Sequence, residues 1–412
     1  MNLQLPCRHG SDEPVAGKLR FHQVVLETAP AYLERFGATM PERQRHVLQR
    51  IVRCRTPALG GQLFGCRDCG TRHFRYHSCN DRFCPQCGQT DADDWLARQR
   101  QRLLLPVPYF LVTFTVPEAL REWIRSHQEL GYDLLFAASS QAQQDLGANP
   151  KRLGAQMAML GVLHTWSRTL IYHPHIHYLV AAGGLSLDER QWIHPRQPGY
   201  LLNEFALGDR CRNLFREKLQ QQAPEQLQAI PAKVWKQRWV VDCKAVGSGE
   251  GALIYLSRYV FKTATANRWV ERLPDGRVRW PYRDSQTGQW TSVDLAPEEL
   301  LRRYLQHVLP KGFTRARLFG WFHPAARKRL NKVRALLGQA PVLTAQERQV
   351  WLEPPTDDVL QAGDSTNPDA TCSAAGSVPL CPRCGKPMER LGHWSTALRR
   401  LVLLSADPRA PP

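Results

Sequence analysis

Residues 163–186 read LHTWSRTLIYHPHIHYLVAAGGLS and place His173, His175 and His177 at alternate positions in a run that otherwise has strand character. Successive side chains of a strand point to opposite faces, so the three imidazoles share one face. Neutral imidazole is the commonest side-chain ligand of divalent ions, and two on one rigid strand form half a coordination sphere. With 14 histidines in 412 residues, His-x-His-x-His arises by chance about 0.02 times. The plain alternative is a histidine-rich surface strand. The third histidine, together with what lies downstream, favours a metal-binding strand over that alternative.

A second motif lies downstream, in GEGALIYLSRYVFKTA, residues 249–264. Leu253, Leu256 and Val260 fall at helical spacing and predict a buried stripe. Tyr255 and Tyr259 are four apart and stack on one helix face, with Lys262 a turn further. Tyrosine can form covalent intermediates, but a phenol with a pKa near about 10 needs a metal or a cation to become a good nucleophile. Arg258, Lys262 and the histidine-bound ion are the candidates for that help. An ordinary amphipathic helix edge is the alternative.

The third motif is cysteine-rich. Cys66-x-x-Cys69 and Cys84-x-x-Cys87 are two zinc knuckles, each followed by glycine, Gly70 and Gly88. Four converging thiolates make the usual structural zinc site, and Cys66, Cys69, Cys84 and Cys87 are the expected set. Cys54 and Cys79, with His73 and His77 nearby, are candidates for a second site. Cys381-x-x-Cys384 is a further half-site whose missing ligands are sought in Cys372 or His393.

Charge narrows the partners. The net charge is +18, and residues 300–335 hold ten lysines and arginines with no acid. Cations track phosphates and interleaved rings stack on unpaired bases, so Lys311, Arg315, Arg317 and Trp321 are expected to contact single-stranded nucleic acid. The opening MNLQLPCRHGSDEP has no apolar core, and no apolar run reaches 18 residues. The expected setting is therefore the cytoplasm, without membrane contact, where twelve cysteines argue for metal rather than disulfides. No Gly-x-x-x-x-Gly-Lys-Ser/Thr loop is present, so there is no sign of a helicase domain.

Along the chain, helices are expected over much of the first 50 residues, at 91–105, at 117–147 and at 150–164. Strands are expected at 107–117 and in KVWKQRWVVDCKAV, with a hairpin at 280–293. Residues 1–100 form a helical, zinc-binding domain and 101–345 the catalytic domain. Residues 346–379 are a flexible linker, and 380–412 a short Cys-x-x-Cys tail.

Taken in order, these blocks resemble one family. HPHIHYLVAAGGLS resembles the HUH motif (His, hydrophobic residue, His) of rolling-circle transposases, and YLSRYVFK resembles their paired-tyrosine helix. HVLPKGFTRARLFGWF is similar to a segment that follows it in the bacterial insertion-sequence family ninety-one, and the cysteine block resembles that family's zinc domain. The likeness runs from about residue 20 to about residue 340, and departs from the family at Phe83, where the family usually carries histidine. It implies an α+β chain with an HUH endonuclease core, an antiparallel sheet flanked by helices. It implies Mg²⁺ or Mn²⁺ held by His175, His177 and a third ligand, with His164 preferred over His173. It further implies that Tyr255 and Tyr259 attack DNA in turn, giving a 5′-phosphotyrosine, beside a structural Zn²⁺ and in association with the nucleoid. A rolling-circle replication initiator and a non-catalytic zinc DNA-binding regulator are the alternatives.

Overall fold

The β-rich run expected at 107–117 forms β1, Tyr109–Thr115, in the middle of an antiparallel sheet. The computed structural model describes residues 18–87, 90–260, 265, 267–284, 287–343, 379–395 and 400–403. Its other central strands are β2 (Met159–Trp166), β3 (Tyr172–Ala181), β4 (Val240–Ala245) and β5 (Ala316–Phe319). The sheet order is β4-β1-β3-β2-β5, antiparallel at every step. The fold class is thus α+β, with antiparallel sheets and helices.

Register decides which side chains share a face. His175 pairs with His164 on β2 and with Thr115 on β1, and His177 pairs with Val162 and Thr113. Directly opposed residues lie on the same side, so His164, His175, His177 and Thr113 project from one face. The other face is apolar and covered by α1, Gln128–Ala148. There Tyr178 pairs its hydroxyl with Ser139 Oγ at 2.7 Å, and the hydroxyls of Tyr172 and Tyr132 meet at 2.6 Å.

A helix was expected at 150–164, but the structure has a strand from Met159. The reason is burial: β2 is buried on both faces over most of its length, so its side chains carry no polar alternation. A short, uniformly apolar run of this kind cannot be told from a buried helix by periodicity.

The expected tyrosine helix is α2, Glu250–Val260. Leu253 and Leu256 are fully buried against Leu160, Val162 and Leu179, which puts the helix on the histidine face of the sheet. Its start is set by Gly249 at φ +76°, where an added Cβ would lie 2.6 Å from the Tyr109 ring. Only glycine meets both demands without strain. Glu250 sits in the first helical turn, where a negative charge is favourable, and pairs with Arg100 at 2.6 Å.

Packing divides the chain into two compact units. The unit holding the central sheet also takes in residues 18–52 and extends to Val342. The helices Phe21–Phe36 and Glu42–Arg53 thus lie largely with the sheet rather than with the cysteine-rich block. The other unit joins Arg53–Cys79 to the C-terminal segment. There Glu389–Ser395 pairs antiparallel with Gly61–Gly65, in a sheet that also holds Arg72–Tyr76 and Arg400–Leu403. The Cys-x-x-Cys tail is therefore part of this unit. The expected linker falls almost wholly outside the described residues.

Candidate functional site

Three histidines meet on the face of the sheet that carries α2. The ligand nitrogens of His164, His175 and His177 lie within 4.8 Å of one another. His173 shares the strand face but lies outside this group; its backbone carbonyl accepts a hydrogen bond from His175 Nδ1 at 2.6 Å. That bond puts the proton of His175 on Nδ1 and leaves the Nε2 lone pair for a cation. His177 Nδ1 pairs with Thr113 Oγ1 at 2.8 Å, which fixes the second ring in the same manner. His164 stacks parallel on Trp166, with ring centroids 5.3 Å apart.

Burial holds the imidazoles neutral. Desolvation pushes His175 down to about 4, with Arg121 adding to the effect, and His177 down to about 3, with His175 adding to it. His164 is pushed well below the usual histidine range by burial and by its histidine neighbours. Three neutral, clustered and oriented imidazoles suit a divalent cation, since metal ligation needs the unprotonated form. The residues present therefore fit the metal that the sequence implies.

The tyrosine helix brings Tyr255 to this cluster. Its ring centroid lies 5.9 Å from that of His177 and 6.1 Å from that of His164. The residue is 38 % exposed, so it is not sealed within the core. The side chains of Tyr259 and Arg258, and the whole of Lys262, fall outside the described residues.

Several positioning residues carry no motif in the sequence. The loop joining the two histidine strands puts Leu170 at φ +60°, an uncommon conformation for a non-glycine residue. Gln306 Nε2 and His307 Nε2 both donate to the Leu170 carbonyl, at 2.9 and 3.1 Å, and Arg303 donates to Thr169. His307 is fully buried and takes a hydrogen bond from Thr165 Oγ1 at 3.2 Å. The segment that begins HVLPKGF thus holds the hairpin from which the histidines project.

The expected DNA contacts are redistributed. Trp321 is 1 % exposed, packs on Phe322 and Trp192, and donates to the Gln156 carbonyl at 2.8 Å. It is a core residue and offers no face to a base. Arg315 is also buried, with its guanidinium 5.5 Å from the Trp166 ring centroid. Arg317 is committed to Asp133. Lys311 alone of these is exposed. A basic segment without acids reads as solvated, but its partner Asp133 comes from a helix distant in sequence.

The zinc ligands are regrouped as well. Cys66 and Cys69 do not join Cys84 and Cys87; they meet Cys381 and Cys384, with Cys66–Cys384 and Cys69–Cys381 sulfurs each 3.5 Å apart. The two knuckles repeat one turn: the Gly70 amide donates to the Cys66 carbonyl, and the Gly385 amide to that of Cys381. The strand pairing of 389–395 with 61–65 delivers the distant pair, which no local spacing could reveal. Hydrogen bonding with Thr71, through its side chain and its backbone, leads in pulling the Cys69 thiol down to about 6, toward the thiolate that a metal needs. Elsewhere in the block, the Cys79 amide donates to Cys54 Sγ at 3.4 Å, and the Cys87 amide to the Cys84 carbonyl at 3.1 Å.

Residues 158–330, which contain both histidine strands and the tyrosine helix, match a family profile described as "Putative transposase". Residues 24–116 match one described as "Transposase zinc-binding domain". The protein named "Putative transposase y4qJ" from Sinorhizobium fredii is 37 % identical over 316 residues, 72 % of this chain and 79 % of that protein. The "Transposase for insertion sequence element IS801" from Pseudomonas savastanoi pv. phaseolicola is 28 % identical over 291 residues, 66 % of this chain and 68 % of that protein. No solved structure matches.

Proposed function

This chain belongs to the transposases of the bacterial insertion-sequence family ninety-one, the family of IS801, and from that premise we propose that it cuts and rejoins single-stranded DNA through a 5′-phosphotyrosine. The observation that carries the proposal is the convergence of His164, His175 and His177 beside the Tyr255 ring.

In this reading His164, His175 and His177 hold Mg²⁺ or Mn²⁺, which when bound supplies Lewis-acid polarisation of the scissile phosphate. Thr113 and the His173 carbonyl keep two of the rings aimed. The Tyr255 oxygen attacks phosphorus in line and loses its proton to solvent. The P–O3′ bond breaks, the 3′ oxygen takes up a proton, and the 5′ end stays on the enzyme. One phosphodiester is exchanged for another, so rejoining needs no nucleotide. Tyr259 serves as the second nucleophile, one helical turn on, with Arg258 and Lys262 neutralising charge. Structural zinc sits in Cys66, Cys69, Cys381 and Cys384. Cys54 and Cys79, which lie within the matched zinc-binding span, are the candidates for a second ion. The protein works in the cytoplasm at the nucleoid, with host replication or unwinding factors supplying single strands. Among the described residues no helix is long and apolar enough to cross a membrane.

The test is incubation with short single-stranded oligonucleotides of the element ends plus Mn²⁺, scoring a denaturant-stable protein–DNA adduct. Tyr255→Phe with Tyr259→Phe should abolish the adduct and leave DNA binding nearly unchanged. An adduct that survives the double substitution would overturn the assignment of the nucleophiles. Joining of donor to target strands separates a transposase from an initiator with the same chemistry.

A further inference from the structure

The chain carries an open cleft of about 670 Å³ whose charge the nuclease reading does not use. Arg43, His46 and Arg50 of the helix Glu42–Arg53 form one wall, and Arg82 and Lys311 face the same space. Asp81 is the one carboxylate among the described lining residues, and it already lies 3.5 Å from Arg50. Three guanidiniums crowd a single ring: Arg82, Arg43 and Arg315 lie 5.0, 5.7 and 5.9 Å from the centroid of Phe83. Phe83 is fully buried, so the ring is a fixed platform for them. Arg82 is anchored further by donating to the carbonyls of Phe313 and Pro310, at 2.8 and 3.4 Å. Like charges gathered this closely make the wall of the cleft positive, which favours an anionic ligand.

The position of the cleft points to the anion. Ala316 lines it and begins β5, where it pairs with Val162, two residues from His164. Val260 lines it too, five residues beyond Tyr255 on α2, about 7.5 Å along the helix axis. Its walls are therefore continuous with the elements that carry the histidines and the tyrosine. Trp95 adds a partly buried ring to the lining.

We infer that this cleft binds the phosphodiester backbone of the single DNA strand next to the cut, with Arg43, Arg50, Arg82 and Lys311 as its cationic track. The inference rests on the nuclease reading above and names where its substrate lies. It shifts the main DNA contacts from the C-terminal basic segment to a helix near the N-terminus.

The test measures binding of a fluorescein-labelled 20-nucleotide oligo-dT, and of a duplex of the same length, by anisotropy against salt. Each lost phosphate contact should make the log–log salt slope shallower by about 0.7 for a single strand. Arg43→Ala with Lys311→Ala should lower the slope by about 1.4 and weaken binding about 25-fold at 0.1 M salt. Lys311 is exposed, so Lys311→Ala alone, with about a fivefold loss, guards against a folding defect in the pair. Arg43→Lys with Lys311→Arg should keep the slope. An unchanged slope in both alanine variants overturns the inference, and so does an equal loss on duplex. Adduct formation by the unsubstituted chain at saturating oligonucleotide is read in parallel. Cleft-dependent binding without an adduct removes the nuclease reading and keeps the cleft; an adduct with an unchanged slope does the reverse.

Discussion

On the zinc assignment proposed above, replacing Cys381 and Cys384 by serine should free the C-terminal strand 389–395, which the strand pairing alone does not hold. Cys69 and Cys381 are 312 residues apart. Joining points that distant costs about 5.7 kcal/mol of chain entropy relative to an open chain. Five register pairs link Glu389–Trp394 to Gly61–Gly65, with a bulge at Arg390–Gly392. At about 1 kcal/mol net per hydrogen bond they return roughly 5 kcal/mol, which leaves the pairing near balance by itself. The ion pairs Arg67–Glu389 and Lys386–Asp68 are largely exposed and add little. A four-thiolate zinc contributes on the order of 10–16 kcal/mol, and that decides the outcome. The assay pairs zinc content by elemental analysis with amide hydrogen exchange of the tail by mass spectrometry. The expected result is the loss of one zinc per chain and of protection in 389–395, with protection kept in β1 and β3. Unchanged zinc content, or a tail that stays protected once its zinc is gone, would refute the reasoning.

Further outcomes follow from the site and the core. His175→Ala with His177→Ala should abolish Mn²⁺-dependent cleavage while leaving zinc content unchanged, and His164→Ala should cost more activity than His173→Ala; the reverse ranking would move the third ligand onto β3. Thr113→Val removes the partner of His177 Nδ1, and a Mn²⁺ titration of cleavage should show metal affinity lowered about 10–100-fold. Trp321→Ala should destabilise the fold by about 3–5 kcal/mol in denaturant unfolding and weaken single-strand and duplex binding alike, whereas a selective loss of single-strand binding with stability intact would return Trp321 to the DNA surface.

The elements legible in the sequence are those governed by local periods. A period of two puts His175 and His177 on one face of β3, whatever packs around it. The helical period makes Leu253 and Leu256 a buried stripe and leaves Tyr255 off it. The Cys66–Gly70 and Cys381–Gly385 turns are likewise complete within five residues. These local facts already imply a strand with its histidines on one face, a tyrosine helix and Cys-x-x-Cys turns, whereas the antiparallel core was implied by the family resemblance.

Tertiary structure alone decided which of these parts meet. His164 faces His175 through the register of β2 on β3, which local spacing does not encode, and β2 itself lacks alternation because both its faces are buried. Cys66 and Cys69 find Cys381 and Cys384 only because a strand from the far end of the chain pairs beside them. The aromatic and basic residues of 300–335 divide between core, ion pairs and surface according to neighbours distant in sequence, which is why Trp321 is buried and Lys311 is not. Local geometry sets the direction of a side chain, whereas its partner is set by long-range burial, and burial is a property of the assembled fold.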